Sequence, residues 1–166
     1  MSAPIVAVIG GGQLARMMQE EASALGIHLR ALVEAADGST GQVTPDAPVG
    51  AADDEAAVRA VVAGDGTQGL GGEPAAVLTF EHEHQDSDLL ERLQAEGVSV
   101  QPTPQALTLA RDKLAMRRMM SRAGLPQPAW AEIGGPQQES AEQMVDAIEA
   151  FAAEHGWPVV LKTPRG

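Results

Sequence analysis

A run of three glycines opens the first segment whose residue types are suited to chemistry. Residues 10–15 read Gly-Gly-Gly-Gln-Leu-Ala, follow a short apolar run and fit the pattern G-x-G-x-x-A. Glycines allow a tight turn and a close backbone approach to a ligand, and a helix N-terminus offers free N–H groups to an anion. We predict that Gly12 and the N–H groups of Gln13 and Leu14 contact a phosphate-bearing ligand. The alternative is a tight turn without a ligand.

Glu34 follows this turn at a distance of roughly 20 residues, where dinucleotide-binding proteins place an acid that binds ribose. A nicotinamide-dependent oxidoreductase is therefore an open alternative, supported by Gly10, Gly12, Ala15 and Glu34. A non-catalytic Rossmann-like binding module is a further hypothesis.

Acids and histidines alternate at residues 81–84, directly after another apolar run. Ligands of open α/β sheets bind beyond the carboxyl ends of the strands, so we predict that Glu81 accepts hydrogen bonds from ribose hydroxyls. Glu83 is a further candidate, and a solvated acidic loop is the alternative for both acids. Alternate residues of an extended segment face opposite sides, so we do not expect these four side chains to converge on a metal ion.

The hydrophobic pattern around these segments alternates between strand and helix, which is typical of a doubly wound α/β fold with a parallel sheet. The apolar spacing of the first helix predicts one buried face formed by Leu14, Met17, Met18, Ala22 and Leu25. The predicted strands span 5–9, 27–33, 75–80 and 98–100, and the predicted helices span 13–25, 56–63 and 87–95.

Two prolines at 102 and 104 interrupt this alternation, and we place a domain boundary near residue 105. The sequence pattern of the second region, 106–166, predicts a long helix at 107–123 and a helix at 140–155 with a capping box of Ser140 and Gln143. It also predicts a strand at 159–162. A lone strand cannot bury its apolar face. We therefore expect 106–166 to be the incomplete start of a second domain.

The composition and the charge of the chain argue against several classes of function. The net charge of -12 disfavours binding to nucleic acid, because phosphate backbones are repelled by an acidic surface. The absence of cysteine excludes thiol catalysis and zinc–thiolate sites. The apolar run at 5–9 is too short for a signal peptide or a membrane span, which favours a soluble cytoplasmic protein.

Four ordered segments resemble the 5-(carboxyamino)imidazole ribonucleotide synthases, a family of ATP-grasp ligases in purine biosynthesis. They are the opening Gly-Gly-Gly-Gln-Leu-Ala-Arg-Met at 10–17, Thr-Phe-Glu-His-Glu at 79–83, the stretch from Pro104 through Asp112-Lys113 to Gly-Leu-Pro at 124–126, and Val-Val-Leu-Lys at 159–162. The resemblance covers nearly all of the chain and is weakest at 35–72 and 132–150.

The resemblance implies a Rossmann-like pre-ATP-grasp domain at 1–105, followed by the truncated beginning of an ATP-grasp domain at 106–166. It implies ATP-dependent carboxylation of 5-aminoimidazole ribonucleotide with bicarbonate, giving ADP and phosphate through carboxyphosphate. Lys113 and Lys162 would bind ATP, and Gly12, Gln13, Leu14 and Glu81 would bind the substrate.

The same resemblance places the catalytic residues and the Mg²⁺ ligands beyond residue 166, so we expect these 166 residues alone to be inactive. It also implies a homodimer. Within the ATP-grasp class, a glycinamide ribonucleotide transformylase is the alternative, and Gln13-Leu14 favours the aminoimidazole enzyme over it.

Overall fold

A computed structural model of the chain describes residues 3–66, 72–135 and 140–165. The elements assigned within them are β1 (Ile5–Ile9), α1 (Gln13–Leu25), β2 (His28–Leu32), α2 (Glu55–Ala63), β3 (Val77–Phe80), α3 (Ser87–Ala95), α4 (Pro104–Arg111), α5 (Lys113–Arg122) and α6 (Ala141–His155). None of these described helices is long and apolar enough to cross a membrane. The glycine-rich segment predicted as a loop at 64–72 lies largely outside the described residues.

The three strands form a parallel sheet in the order β2-β1-β3. Ile9 pairs with Leu32 on one side and with Phe80 on the other, so all three strands end at the same edge of the sheet. Parallel neighbours require crossover connections, and α1 and α2 lie in those connections. The predicted parallel α/β architecture is confirmed, and its geometry places Gly10 and Glu81 next to each other beyond that edge.

Each face of the sheet has its own apolar core, because successive side chains of a strand point to opposite faces. One face packs against α2 and α3, and the other packs against α1. The first core includes Ala7, Ile9, Leu32, Val58, Val61, Leu78, Leu89 and Leu93, and the second includes Val8, Ala15, Ala22, Leu29, Ala31 and Val33. Helices on both faces of a parallel sheet are the arrangement that the alternating hydrophobic pattern predicted.

The predicted buried face of α1 is partly wrong. Ala15 and Ala22 are the buried residues of this helix, whereas Leu14, Met17 and Leu25 are 55%, 52% and 70% exposed. An α-helix has 3.6 residues per turn, so a face centred on Ala15 is rotated by about 100° from one centred on Leu14. Small side chains facing the sheet leave the larger ones at the helix start exposed.

A buried arginine lies on the edge strand β2, and the sequence reasoning did not anticipate it. Arg30 is 2% exposed. Its Nε donates to Asp46 Oδ2 at 3.0 Å, and its Nη1 and Nη2 donate to the carbonyl oxygens of Val61 and Glu73 at 3.1 Å each. His28 Nε2 lies 2.7 Å from the same Asp46 oxygen. The guanidinium therefore connects β2 to α2 and to the segments on either side of it.

The described residues form two compact units that divide between Leu107 and Thr108. In the second unit, the helix predicted at 107–123 is wrong as a single element, because it is interrupted at Asp112. The Asp112 carboxylate accepts a hydrogen bond from the N–H of Ala115 and caps the start of α5. A side chain that bonds the backbone in this way begins a new helix instead of continuing the old one.

The capping box of α6 is confirmed, since Ser140 and Gln143 exchange side-chain and backbone hydrogen bonds. Two predicted strands are wrong. Residues 98–100 form a single bridge, between Val100 and Leu78, and residues 159–162 form no strand. Val160 and Leu161 are 76% and 65% exposed, and no strand lies beside them within the described part of the second unit to supply ladder hydrogen bonds.

Candidate functional site

The glycine turn holds a carboxylate from the end of another strand. Glu81 Oε1 accepts a hydrogen bond from Gly12 N at 3.0 Å, and Oε2 accepts from Ala15 N at 3.0 Å and from Gly12 N at 3.2 Å. Gly12 is the N-cap of α1 and has no side chain with which to cap it, and the first turn of α1 contains no acidic residue. Glu81, 69 residues later in the chain, supplies the negative charge that a helix N-terminus favours.

Two glycines of the turn leave the space that this carboxylate occupies. Gly10 has a φ of +132°, and a Cβ built on it would meet Cδ of Glu81 at 2.6 Å. A Cβ on Gly12 would lie 2.7 Å from Glu81 Oε1. Contacts this short would force the carboxylate out of its place. The glycine pattern is thus explained by an internal contact as well as by a tight turn.

Two adjacent N–H groups at the start of α1 remain available. Those of Gln13 and Leu14 have no hydrogen-bond partner among the described residues, while their neighbours Gly12 and Ala15 are bonded to Glu81. Both groups lie in the first turn of a helix, where intrahelical acceptors are absent. They also lie beyond the carboxyl ends of parallel strands, which is where open α/β sheets bind ligands. Glu81, Gly12, Gln13 and Leu14, predicted from sequence as one site, are brought together.

A segment that the sequence reasoning left as a loop packs against this turn. Thr40 is fully buried, donates through Oγ1 to the carbonyl oxygen of Gly12 at 2.7 Å, and donates through its N–H to that of Gly11 at 3.1 Å. Ser39 Oγ donates to Gln13 Oε1 at 3.0 Å, and Arg16 Nη1 donates to the Ser39 carbonyl oxygen at 3.1 Å. This contact holds the turn through the carbonyl oxygens of Gly11 and Gly12, whereas Glu81 bonds the N–H groups of Gly12 and Ala15. A single buried threonine in a polar stretch gives no periodic signal, so the sequence pattern did not reveal it.

The remaining residues named for this region do not add to the site. Glu34 is exposed, as a solvated acid would be. The rings of His82 and His84 are 6.1 Å apart, and Nδ1 of His82 lies 3.2 Å from Gln85 Nε2. Over the described ranges, no group of three or more His, Cys, Asp or Glu side chains is placed to hold a metal ion.

The second unit brings together two segments that lie about 50 residues apart in the sequence. The N–H of Lys113 donates to the carbonyl oxygen of Pro164 at 2.9 Å, and Arg165 Nε donates to Asp112 Oδ2 at 3.1 Å. The N–H of Ala115 and the guanidinium of Arg165 hold the pKa of Asp112 below its usual value. Lys162 is exposed, three residues before Arg165. Lys113 and Lys162 are the two lysines of the chain, and the segments that carry them are in contact.

Comparison with known proteins identifies the family of this fold. Residues 4–111 match the family described as the ribonucleotide synthetase preATP-grasp domain. The chain belongs to this family. The preATP-grasp match includes the whole sheet, the glycine turn and Glu81.

Curated relatives of this chain include several N5-carboxyaminoimidazole ribonucleotide synthases. The chain is 47% identical over 164 residues to the N5-carboxyaminoimidazole ribonucleotide synthase of Mycobacterium tuberculosis, a match that covers 99% of this chain and 34% of the relative. It is 34% identical to the synthase of the same name from Synechococcus elongatus, and this match covers 96% of this chain and 36% of that synthase. The chain thus spans about a third of the length of the curated relatives it matches.

Solved structures of such synthases have the same fold. The enzyme from Thermotoga maritima superposes with a TM-score of 0.73 at 26% identity, covering 98% of this chain and 39% of that one. The enzyme from Aspergillus clavatus was solved in complex with ADP and 5-aminoimidazole ribonucleotide. It superposes with a TM-score of 0.72 at 25% identity, covering 90% of this chain and 36% of that one. The resemblance stated from the four sequence motifs is confirmed.

Proposed function

We propose that this chain is part of an ATP-grasp ligase that carboxylates 5-aminoimidazole ribonucleotide. The exocyclic amine of the ribonucleotide would be joined to bicarbonate while ATP is split to ADP and phosphate through carboxyphosphate, a step of purine biosynthesis. The observation that carries the proposal is the 47% identity to the Mycobacterium tuberculosis synthase across 99% of this chain. Similar solved structures in complex with ADP support the proposal that ATP is the nucleotide substrate.

The glycine turn would bind the ribonucleotide. The N–H groups of Gln13 and Leu14 are two adjacent donors at the carboxyl edge of a parallel sheet, and Gly12 and Glu81 fix their position. The geometry disfavours the nicotinamide alternative. A dinucleotide would place its pyrophosphate at the helix N-terminus, where the Glu81 carboxylate already lies.

Lys113 and Lys162 would bind the phosphates of ATP. An ammonium group on a flexible stem suits phosphate oxygens, and neutralising their charge is the main electrostatic task of such a site. The hydrogen bonds of Lys113 to Pro164 and of Asp112 to Arg165 support this role, because they hold the two lysine-bearing segments together. We assign the Mg²⁺ ligands to no residue of this chain. We also propose that the protein is a cytoplasmic homodimer.

The test is a chimera in which this chain replaces the matching third of the Mycobacterium tuberculosis relative. ADP release is measured with 5-aminoimidazole ribonucleotide and bicarbonate, omitting each in turn, and we expect release to require both. The variants Lys113→Ala and Lys162→Ala should each raise the KM for ATP by roughly 10- to 100-fold, since hydrogen bonds to charged groups contribute about 1.5–3 kcal/mol. Arg122→Ala, at the exposed end of α5, is the matched control and should leave KM unchanged. A folded chimera that binds NAD(H) and releases no ADP would contradict the proposal.

A further inference from the structure

Asp112 uses both of its carboxylate oxygens on contacts within the second unit. Oδ1 accepts a hydrogen bond from the N–H of Ala115 at 2.9 Å and so caps α5, while Oδ2 accepts from Nε of Arg165 at 3.1 Å. The side chain of Asp112 is 16% exposed and that of Arg165 is 76% exposed. Because the carboxylate is the more buried partner and is also bonded to the helix, it is the fixed point to which Arg165 is attached.

Two backbone donors at the start of α5 are used within the chain. The N–H of Lys113 donates to the carbonyl oxygen of Pro164 at 2.9 Å, and that of Ala115 donates to Asp112. A helix start whose N–H groups are already bonded is poorly suited to hold a phosphate through its backbone. Side chains are then the groups left for an anion here, and the ammonium groups of Lys113 and Lys162 have no hydrogen-bond or ion-pair partner among the described residues.

The contacts of Asp112 and Lys113 join two segments that each carry one of these lysines. Lys113 directly follows Asp112, and Lys162 precedes Arg165 by three residues. A lysine carries its charge on a flexible stem, so the charge is placed only as well as the backbone that carries it. Two such cations bind one phosphate chain more tightly when their backbones are already held together, because less order has to be created on binding.

We propose that Asp112 is a positioning residue for the nucleotide site, which sets the spacing of Lys113 and Lys162 through its bond to Arg165. The nucleotide contacts the lysines and not the acid, so Asp112 acts on the affinity for ATP and leaves the chemical step unchanged. The bonds from Ala115 and Arg165 also offset the negative charge of Asp112, which would otherwise repel phosphate. This inference deepens the proposed function and rests on it for the identity of the ligand as a nucleoside triphosphate.

The first measurement is hydrogen exchange of the Lys113 N–H in the 166-residue chain, because this group bonds the segment that carries Arg165. Asp112→Ser keeps a side chain that caps a helix and has no second oxygen to accept from Arg165. Arg165→Gln removes the guanidinium from the other side of the same contact. Both variants should speed the exchange of the Lys113 N–H by about 3- to 5-fold. The N–H of Ala123, at the far end of α5, should exchange as before, which separates a local effect from a loss of overall stability.

The second measurement is the KM for ATP of the chimera described above. Asp112→Ser and Arg165→Gln should each raise this KM by about 3- to 5-fold, less than the loss of a lysine, because exposed ion pairs contribute modestly. They should leave kcat unchanged. The double variant should match the single ones, since both remove the same contact. Arg165→Lys keeps a cation beside the carboxylate and should restore most of the affinity for ATP, and Arg122→Gln is the control that should change neither KM nor exchange.

Two kinds of failure are distinguishable. Exchange of the Lys113 N–H that neither substitution alters would overturn the inference, and so would KM effects that add in the double variant. A loss of stability in Asp112→Ser with an unchanged KM would also overturn it, because the acid would then only cap α5. An unsubstituted chimera that releases no ADP would contradict the proposed function instead. The exchange measurement needs no nucleotide and still decides whether Asp112 holds the two segments together.

Discussion

The backbone N–H of Lys113 donates a 2.9 Å hydrogen bond to the carbonyl oxygen of Pro164. Beside it, the Asp112 carboxylate accepts from Arg165 at 3.1 Å and from the N–H of Ala115 at 2.9 Å. One acid therefore caps a helix and also holds a distant segment of the same unit. Because both segments carry a lysine, the state of Asp112 bears on the geometry of the proposed nucleotide site.

Asp112 should make the second unit sensitive to acid. Its pKa in the folded chain is below the ordinary value of 3.8, first because Ala115 N donates to it and then because of Arg165. A group whose pKa is lowered by folding contributes stability above its unfolded pKa, and that contribution is lost as pH falls through the folded pKa. The α5 cap should therefore weaken only below about pH 4, which ¹³C NMR titration of the Asp112 carboxyl measures.

The Arg165→Gln variant separates the two causes of the lowered pKa of Asp112, the N–H of Ala115 and the guanidinium of Arg165. It should raise the pKa of Asp112 part of the way towards its ordinary value, since the hydrogen bond from Ala115 remains. Arg122→Gln removes an equal charge from the end of α5 and should leave the Asp112 titration unchanged. An identical shift with both variants would mean that overall charge, and not the contact with Arg165, sets this pKa.

Gly12→Ala should destabilise the first unit through its contact with Glu81. The added Cβ would lie 2.7 Å from Oε1, and overpacking of this kind costs roughly 1–3 kcal/mol. The measurement is urea unfolding of Gly12→Ala, Glu81→Ala and the double variant. We expect a coupling energy of about 1 kcal/mol or more, because removing the carboxylate removes the clash. Additive effects would show that Gly12 is required by the turn alone.

The sequence predicted the parts of the structure that repeat with a regular period or end at a distinctive residue. The bounds of β1, α1 and α3 match the predictions at 5–9, 13–25 and 87–95, because each is an apolar pattern closed by glycine or by a polar cap. The family resemblance placed the glycine turn and Glu81 in one substrate site, and the parallel topology brings them together, since strands that run the same way end at the same edge.

The errors arise where tertiary contacts override local pattern. Nothing periodic distinguishes Asp112 as a helix start within a long helical pattern, and its selection depends on bonds to Ala115 and Arg165. The predicted ribose contact of Glu81 did not include the backbone of the turn, because a contact over 69 positions leaves no local trace. The burial of Arg30 was not predicted either, because its hydrogen-bond acceptors come from three segments that are separate in the sequence.

Arg30→Met should destabilise the chain strongly. The substitution removes the guanidinium and leaves Asp46 and two carbonyl oxygens with one donor fewer each. Removing one partner of a buried ion pair costs about 3 kcal/mol or more, measured by chemical unfolding. Arg59→Met is the matched control, because Arg59 bonds Glu55 and Glu96 on an exposed surface, where ion pairs contribute little. If both variants lowered the free energy of unfolding equally, the burial of Arg30 would not increase its contribution to stability.

Two buried threonines of the segment beside the glycine turn offer a matched pair of substitutions. Thr40 Oγ1 donates to the Gly12 carbonyl oxygen at 2.7 Å, whereas Thr44 Oγ1 is buried and has no hydrogen-bond partner among the described residues. Valine has nearly the shape of threonine and lacks the hydroxyl. Thr40→Val should therefore lower the free energy of unfolding by about 1 kcal/mol, because it leaves a partly buried acceptor with one donor fewer. Thr44→Val should be neutral or stabilising, because it removes a polar group whose burial is not compensated.

Urea unfolding of the two variants measures both effects, and amide NMR adds a local readout. Only Thr40→Val should shift the N–H resonances of Gln13 and Leu14, since only Thr40 bonds the turn that carries them. A stability loss from Thr44→Val equal to that from Thr40→Val would mean that the threonines act through packing alone. In that case the segment at 35–44 covers the turn without fixing the direction of its two available donors.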